Sequence, residues 1–202
     1  MRLSRLRLLG VLGLGLLCLG AASRPDPFGT IRSSADLRTQ LEAVAFTDQT
    51  GSAFSLEQLR GDIVLLNFVF TRCPGVCPIQ TQRLKNLKAQ LETEHPGLGF
   101  RLVSVTLAPE QDSAEVLAGY ASGHGIAADG SWLFLTGDIQ AISAVQDALG
   151  MKTSLSDENF LDHLTNVYLF DREGRLRKQY DGVAVTQKRL VGEIVSLSRV
   201  SP

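Results

Sequence analysis

The chain is 202 residues long with a formal charge of −1. It carries no block of like charges, so nothing in it points to nucleic acid or an acidic polymer as partner. Of its three cysteines, Cys18 sits in an N-terminal apolar segment, leaving Cys73 and Cys77 as the only thiols beyond it.

Arg2, Arg5 and Arg7 precede the apolar run from Leu8 to Leu19, and the small residues Gly20, Ala21, Ala22 and Ser23 follow. This is a secretory pattern. Residues 1–23 read as a signal peptide or, if uncleaved, as an N-terminal membrane anchor, the run being short for a relaxed span. The chain is therefore expected to be exported, either periplasmic or anchored to the outer face of the cytoplasmic membrane. Leu17 is larger than the residue that usually precedes a lipoprotein cysteine, so Cys18 is expected to leave with the signal. In an oxidising compartment two lone cysteines pair unless something keeps them reduced or metallated. Residues 24–40, rich in Pro, Asp, Ser and Arg without apolar periodicity, read as a linker. Residues 41–202 have the length of one folded domain.

Within that domain strand-like and helix-like stretches alternate. The continuous apolar run Ile63 to Phe70 predicts a central strand buried on both faces. Ile79, Leu84, Leu87 and Leu91 recur at helical spacing, with Pro78 tolerable in the first turn, so the cysteine motif opens a helix. Phe100 to Leu107 reads as a second buried strand. Asp112-Ser-Ala-Glu115 has the form of a capping box for a helix through Tyr120. Trp132 to Leu135 is a third strand, and Asp138 caps a helix carrying Ile142, Val145 and Leu149. Asn166 to Phe170 turns at Asp171–Gly174 into Arg175 to Tyr180, and Thr186 caps a last helix to about Arg199. The pattern predicts an α/β fold: a mixed central sheet flanked by helices, its last two strands a hairpin.

Cys73 and Cys77 are spaced CxxxC at the junction of strand and helix. Thiols at i and i+4 share one side of a helical turn, where they can close a disulfide or grip one soft metal ion. Spacing alone does not choose between the two. A helix N-terminus stabilises thiolate, so both cysteines are expected to gain nucleophilic and ligand character. An inert staple is the bland reading, but so short a loop removes little unfolded-state entropy. CxxxC is one residue longer than the thioredoxin CxxC, and the residues before Cys73 lack the peroxiredoxin PxxxTxxC arrangement.

Thr71-Arg-Cys-Pro-Gly-Val-Cys-Pro78, the Trp132-Leu-Phe-Leu-Thr-Gly137 segment, Asp162-His163 and Tyr168-Leu-Phe-Asp171 together resemble the Sco/SenC proteins, from about Val44 to the end of the chain. Members of that family are thioredoxin-like copper chaperones of cytochrome c oxidase assembly. The resemblance implies a thioredoxin-like fold and copper ligands Cys73, Cys77 and His163, with one Cu(I) or Cu(II) per chain and a cysteine pair able to cycle through a disulfide. It further implies a non-enzymatic metallochaperone whose partner is a cytochrome c oxidase subunit or another copper protein. Soft thiolates suit Cu(I) and imidazole suits both oxidation states, so such a set retains copper across its redox change. The competing readings are a thiol–disulfide reductase that prepares a client's cysteines, and a copper or redox sensor. Thioredoxin-like oxidoreductases usually place a cis-proline just before the strand facing the active site, whereas this chain has His163-Leu-Thr-Asn166. That favours metal over general reductase work. The chain departs from the family twice: Gly75 stands where many members carry Asp, and Ala108-Pro109-Glu110-Gln111-Asp112 has lost the first acid of DPxxD. Both changes touch the surface a client would meet. His95 and His124 lie in loop-like surroundings and read as surface residues, and Met151 reads as core or loop.

Overall fold

The computed structural model describes residues 44–151, 165–182 and 184–199. The expected signal segment and linker, and His163, lie outside the described residues. Seven strands form one sheet: β1 (Ala45–Asp48), β2 (Ala53–Ser55), β3 (Ile63–Val69), β4 (Phe100–Thr106), β5 (Trp132–Thr136), β6 (Asn166–Phe170) and β7 (Leu176–Asp181). Their order is β2-β1-β5-β4-β3-β6-β7. The centre is parallel, β3 with β4 and β4 with β5, while β1, β6 and β7 join antiparallel. The helices are α1 (Val76–Glu94), α2 (Ala114–Gly123), α3 (Ile139–Ala148) and α4 (Gln187–Ser198).

The sequence pattern accounts for most of this. All seven residues of β3 are buried, as a strand covered on both faces requires. Its alternate residues feed two cores. Val64, Leu66 and Phe68 join Ile142 and Val145 of α3 on one side. Ile63, Leu65 and Val69 join Leu84, Leu87 and Leu91 of α1, Leu117 of α2 and Ile194 of α4 on the other. The mixed sheet flanked by helices is thus present as expected. Asp138 Oδ1 accepts from Ala141 N at 2.6 Å, and Thr186 caps α4 through Arg189 N. Asp171–Gly174 makes the β6–β7 turn, with Gly174 at φ 74 donating its N–H to Asp171 O.

One hairpin goes beyond the sequence pattern and one expectation changes. The hairpin of β1 and β2, followed by a 3-10 turn at Leu56–Leu59, is too short for a periodic signal. Asp112 does not begin a capping box: Ser113 is the N-cap of α2, accepting from Val116 N. Asp112 is wholly buried and turns toward the cysteine loop instead. Among the described residues no helix is long and apolar enough to cross a membrane.

Candidate metal and thiol site

β3 delivers the chain to the site. After Val69 the backbone turns, Cys73 N–H bonding Phe70 O at 3.0 Å, and α1 begins at Val76. Cys73 therefore precedes the helix and Cys77 lies in its first turn. Both are free thiols and both are buried, at 7% and 2% exposure. Gly75, the N-cap, has no side chain with which to satisfy the helix's first N–H groups. The Cys73 sulfur takes that place, accepting Cys77 N–H at 3.5 Å.

This placement makes the two sulfurs unlike each other. Burial opposes ionisation of Cys73, but the N–H groups of Gly75, Cys77 and Val76 and the Cys77 thiol all favour its thiolate, and the balance is a lowered pKa. Cys77 moves the other way. Burial first, then the Cys73 thiol, push it up to about 12, helped by the lesser charges of Cys73 and Asp112 and opposed by the Phe70 backbone. The expectation that both cysteines gain thiolate character holds for Cys73 alone. The dipole and the free N–H groups serve the sulfur outside the helix, whereas Cys77 sits inside the turn with its neighbour's sulfur ahead of it.

Asp112 clamps the loop from the far side. Its carboxylate accepts from Thr71 Oγ1 at 2.5 Å, from Thr71 N at 3.3 Å and from Thr106 Oγ1 at 2.6 Å. The end of β4 is thereby tied to the turn that carries Cys73. Tyr120 of α2 closes another side, its hydroxyl 2.9 Å from Thr81 Oγ1. Burial, together with the nearby Cys77, Cys73 and Asp112 charges and despite the Thr81 bond, pushes its phenol up to about 12, so it stays neutral.

Below the thiols, α1 is pinned by Gln80. Its Nε2 donates to Thr165 O at 2.5 Å, and its Oε1 accepts from Asn67 Nδ2 at 3.1 Å. Sequence reading passed over Asn67 and Gln80. The available signal was a single amide inside the apolar run of β3, since a buried amide must find partners. Asp112 was visible as the acid kept from DPxxD, yet its direction was not.

His163 lies outside the described residues; Thr165, two residues on, is the first described residue of that stretch. Among the described residues no group of three or more His, Cys, Asp or Glu side chains is arranged to hold a metal ion. His95 is the C-cap at the far end of α1, and His124 ends α2 with its ring 4.5 Å from that of Tyr120. Met151 is buried in the α3 core. The pair itself fits a soft ion: two adjacent sulfurs, sheltered from water, one already favouring thiolate.

Comparison with known proteins adds four findings. Residues 35–199 match the SCO1/SenC family model. The chain is 29% identical over 180 residues to a SCO1 protein homolog of Bacillus subtilis, covering 88% of this chain and 87% of that protein. Among solved structures, BsSco superposes with a TM-score of 0.66 at 28% identity, covering 80% of this chain and 94% of that one. It is described as having a disulfide switch and as a member of the Sco family of cytochrome c oxidase assembly proteins. Yeast Sco1 with copper bound superposes with a TM-score of 0.64 at 25% identity, covering 79% and 92%. The fold is thioredoxin-like.

Proposed function

Since this chain belongs to the SCO1/SenC family, we propose that it is an exported, copper-binding metallochaperone that delivers copper to the copper site of a respiratory oxidase. The observation that carries this reading is the pair of free, buried, adjacent thiols at the start of α1. The copper in yeast Sco1 supports the cargo, and the oxidase-assembly role described for BsSco supports the client. The leader of Arg2 to Ser23 supports export, to the periplasm or to an anchored position on the outer face of the membrane.

In this reading Cys73 and Cys77 supply two thiolates and His163 an imidazole, holding one copper per chain. Three protein donors leave room for a client's ligand to arrive before the old ones leave, so the ion is never free. Cys77 holds its proton at neutral pH, so loading a cation on its sulfur releases a proton. Oxidation to the disulfide removes both thiolates and with them the hold on the ion. In this role the protein acts by binding and exchange.

The asymmetry of the thiols supports a second activity, reduction of a client disulfide. The Cys73 thiolate attacks one client sulfur and releases the other as a thiolate. Cys77 gives up its proton to that leaving sulfur and displaces the first, leaving a Cys73–Cys77 disulfide and a client dithiol.

Anaerobic titration of the full chain with Cu(I) and Cu(II) tests the main reading. The reduced chain is expected to take up one copper and the oxidised chain none. His163→Ala is expected to weaken Cu(II) by roughly tenfold or more, with Cu(I) held by the two sulfurs far less affected. Stoichiometric binding by the disulfide form sinks the assignment of Cys73 and Cys77.

A further inference from the structure

The two thiols are neighbours, yet both are free. Cys77 is fixed in the first turn of α1, in the core it shares with Val69 and Leu84. Cys73 is carried on the turn before the helix, whose Pro74 and Gly75 are exposed. A disulfide needs its sulfurs about 2.05 Å apart. Closing one draws the Cys73 sulfur away from the Cys77 N–H that it accepts at 3.5 Å. The Cys73 turn is therefore the part that has to give.

That turn is tied down from one side. Asp112, wholly buried, accepts from Thr71 Oγ1 on one carboxylate oxygen at 2.5 Å. Its other oxygen accepts from Thr71 N at 3.3 Å and from Thr106 Oγ1 at 2.6 Å. The footing of Asp112 is itself braced. The N–H groups of Gln111 and Asp112 both bond Ala108 O at 2.9 Å, Ala108 N–H bonds Thr106 Oγ1 at 2.9 Å, and Leu107 N–H bonds Val69 O at 2.9 Å. One carboxylate thus joins two atoms of the movable turn to the end of β4. Hydrogen bonds to a carboxylate are roughly twice as strong as those between neutral groups.

We propose that Asp112 is a positioning residue that, through Thr71, holds the Cys73 turn in its dithiol arrangement and so opposes closing of the Cys73–Cys77 disulfide. The inference rests on the reading of the pair as copper-binding and redox-active. In an oxidising compartment thiol pairs close unless something prevents it, and closing removes the thiolates that a metal needs. A clamp that resists closure keeps the pair ready to load. Oxidation by a small disulfide such as glutathione disulfide takes two steps. The Cys73 thiolate attacks one sulfur and releases a glutathione thiolate; Cys77 then displaces the second glutathione, giving its proton to the leaving sulfur, so two electrons pass to two glutathiones.

The test mixes full-length, reduced protein with glutathione disulfide, reads attack and closure separately by acid quench and mass, and then measures the equilibrium in glutathione buffers. Thr71→Val removes the hydroxyl from the turn, and Thr106→Val frees the carboxylate from β4; both leave the carboxylate in place. In each, closure is expected to quicken roughly fivefold or more, and the equilibrium to move toward the disulfide by a similar factor. Attack by Cys73, the earlier step, should stay within about twofold of wild type. Thr71→Ser, which keeps the hydroxyl, should close at the wild-type rate. So should Thr81→Val, which cuts the bond to Tyr120 on another side of the thiols. Closure at the wild-type rate in both Thr71→Val and Thr106→Val, slower closure, equal quickening in Thr81→Val, or no recovery in Thr71→Ser overturns the proposal. A wild-type pair that forms the mixed disulfide and never closes overturns instead the redox-active reading itself, so the two failures are told apart.

Discussion

The sulfur of Cys73 stands where a helix ordinarily takes a side-chain cap, because Gly75 has none to give. That substitution of sulfur for oxygen explains the lowered pKa of Cys73 and makes it the nucleophile of the pair. Iodoacetamide near pH 7 is therefore expected to label Cys73 before Cys77, as peptide mapping of partly reacted protein will show. Gly75→Asp should slow that labelling severalfold, since a carboxylate there competes for the same N–H groups and repels the thiolate. The position has open space for the new side chain. Cys77 predicts the opposite pH behaviour for the fold. Its folded pKa is about 12 against an ordinary 9.0, so between those values the unfolded chain loses a proton that the folded chain keeps. Stability of the reduced protein should fall as pH rises through that window. Cys77→Ser should lessen that dependence in urea titrations at about pH 8 and about pH 9.5, below the range in which the buried phenols of Tyr120, Tyr168 and Tyr180, each pushed up to about 12, add to it.

At the level of elements, the clamp between β4 and the cysteine loop is the joint whose loss should matter most. Asp112→Ala leaves Thr106, itself fully buried, without its acceptor and frees Thr71 in the same stroke. A loss of about 3 kcal/mol is expected by urea unfolding. Asp138→Ala, which removes only the exposed cap of α3, should cost about 1 kcal/mol. The same two aspartates mark how far sequence could be read. Asp138 acts locally, on an N–H three residues away, and such a cap is written in adjacent letters. Asp112 acts on Thr71, 41 residues earlier, and nothing near it in the chain announces that direction. The long strands and helices declared themselves through periodicity, while β1 and β2, at four and three residues, had too few positions to show any. At the site, the motif pointed to both sulfurs. Their unequal chemistry depended on where α1 begins, and a shift of a single residue in that boundary exchanges a thiol outside the turn for one within it.

For the whole molecule, the parallel centre of the sheet places the thiols beyond the carboxyl end of β3, the end at which α/β sheets generally present their working loops. A cell lacking the protein is expected to show deficient oxidase activity when copper is scarce, restored in part by added copper, because excess ion lets the apo-site fill by mass action. Cys73→Ser and Cys77→Ser should match the deletion, and His95→Ala, remote at the other end of α1, should match wild type. Normal oxidase activity under copper limitation, with no second Sco-like protein present, would remove the oxidase as client. The two margins of the described sheet, β2 and β7, bear on how the domain meets other chains. β2 spans three residues, and β7 turns Arg177, Lys178 and Gln179 outward along its length. One margin is too short and the other too charged to recruit a foreign strand. Strand-to-strand recruitment is thus disfavoured at both margins of the described sheet, which keeps copies of the domain from joining edge to edge.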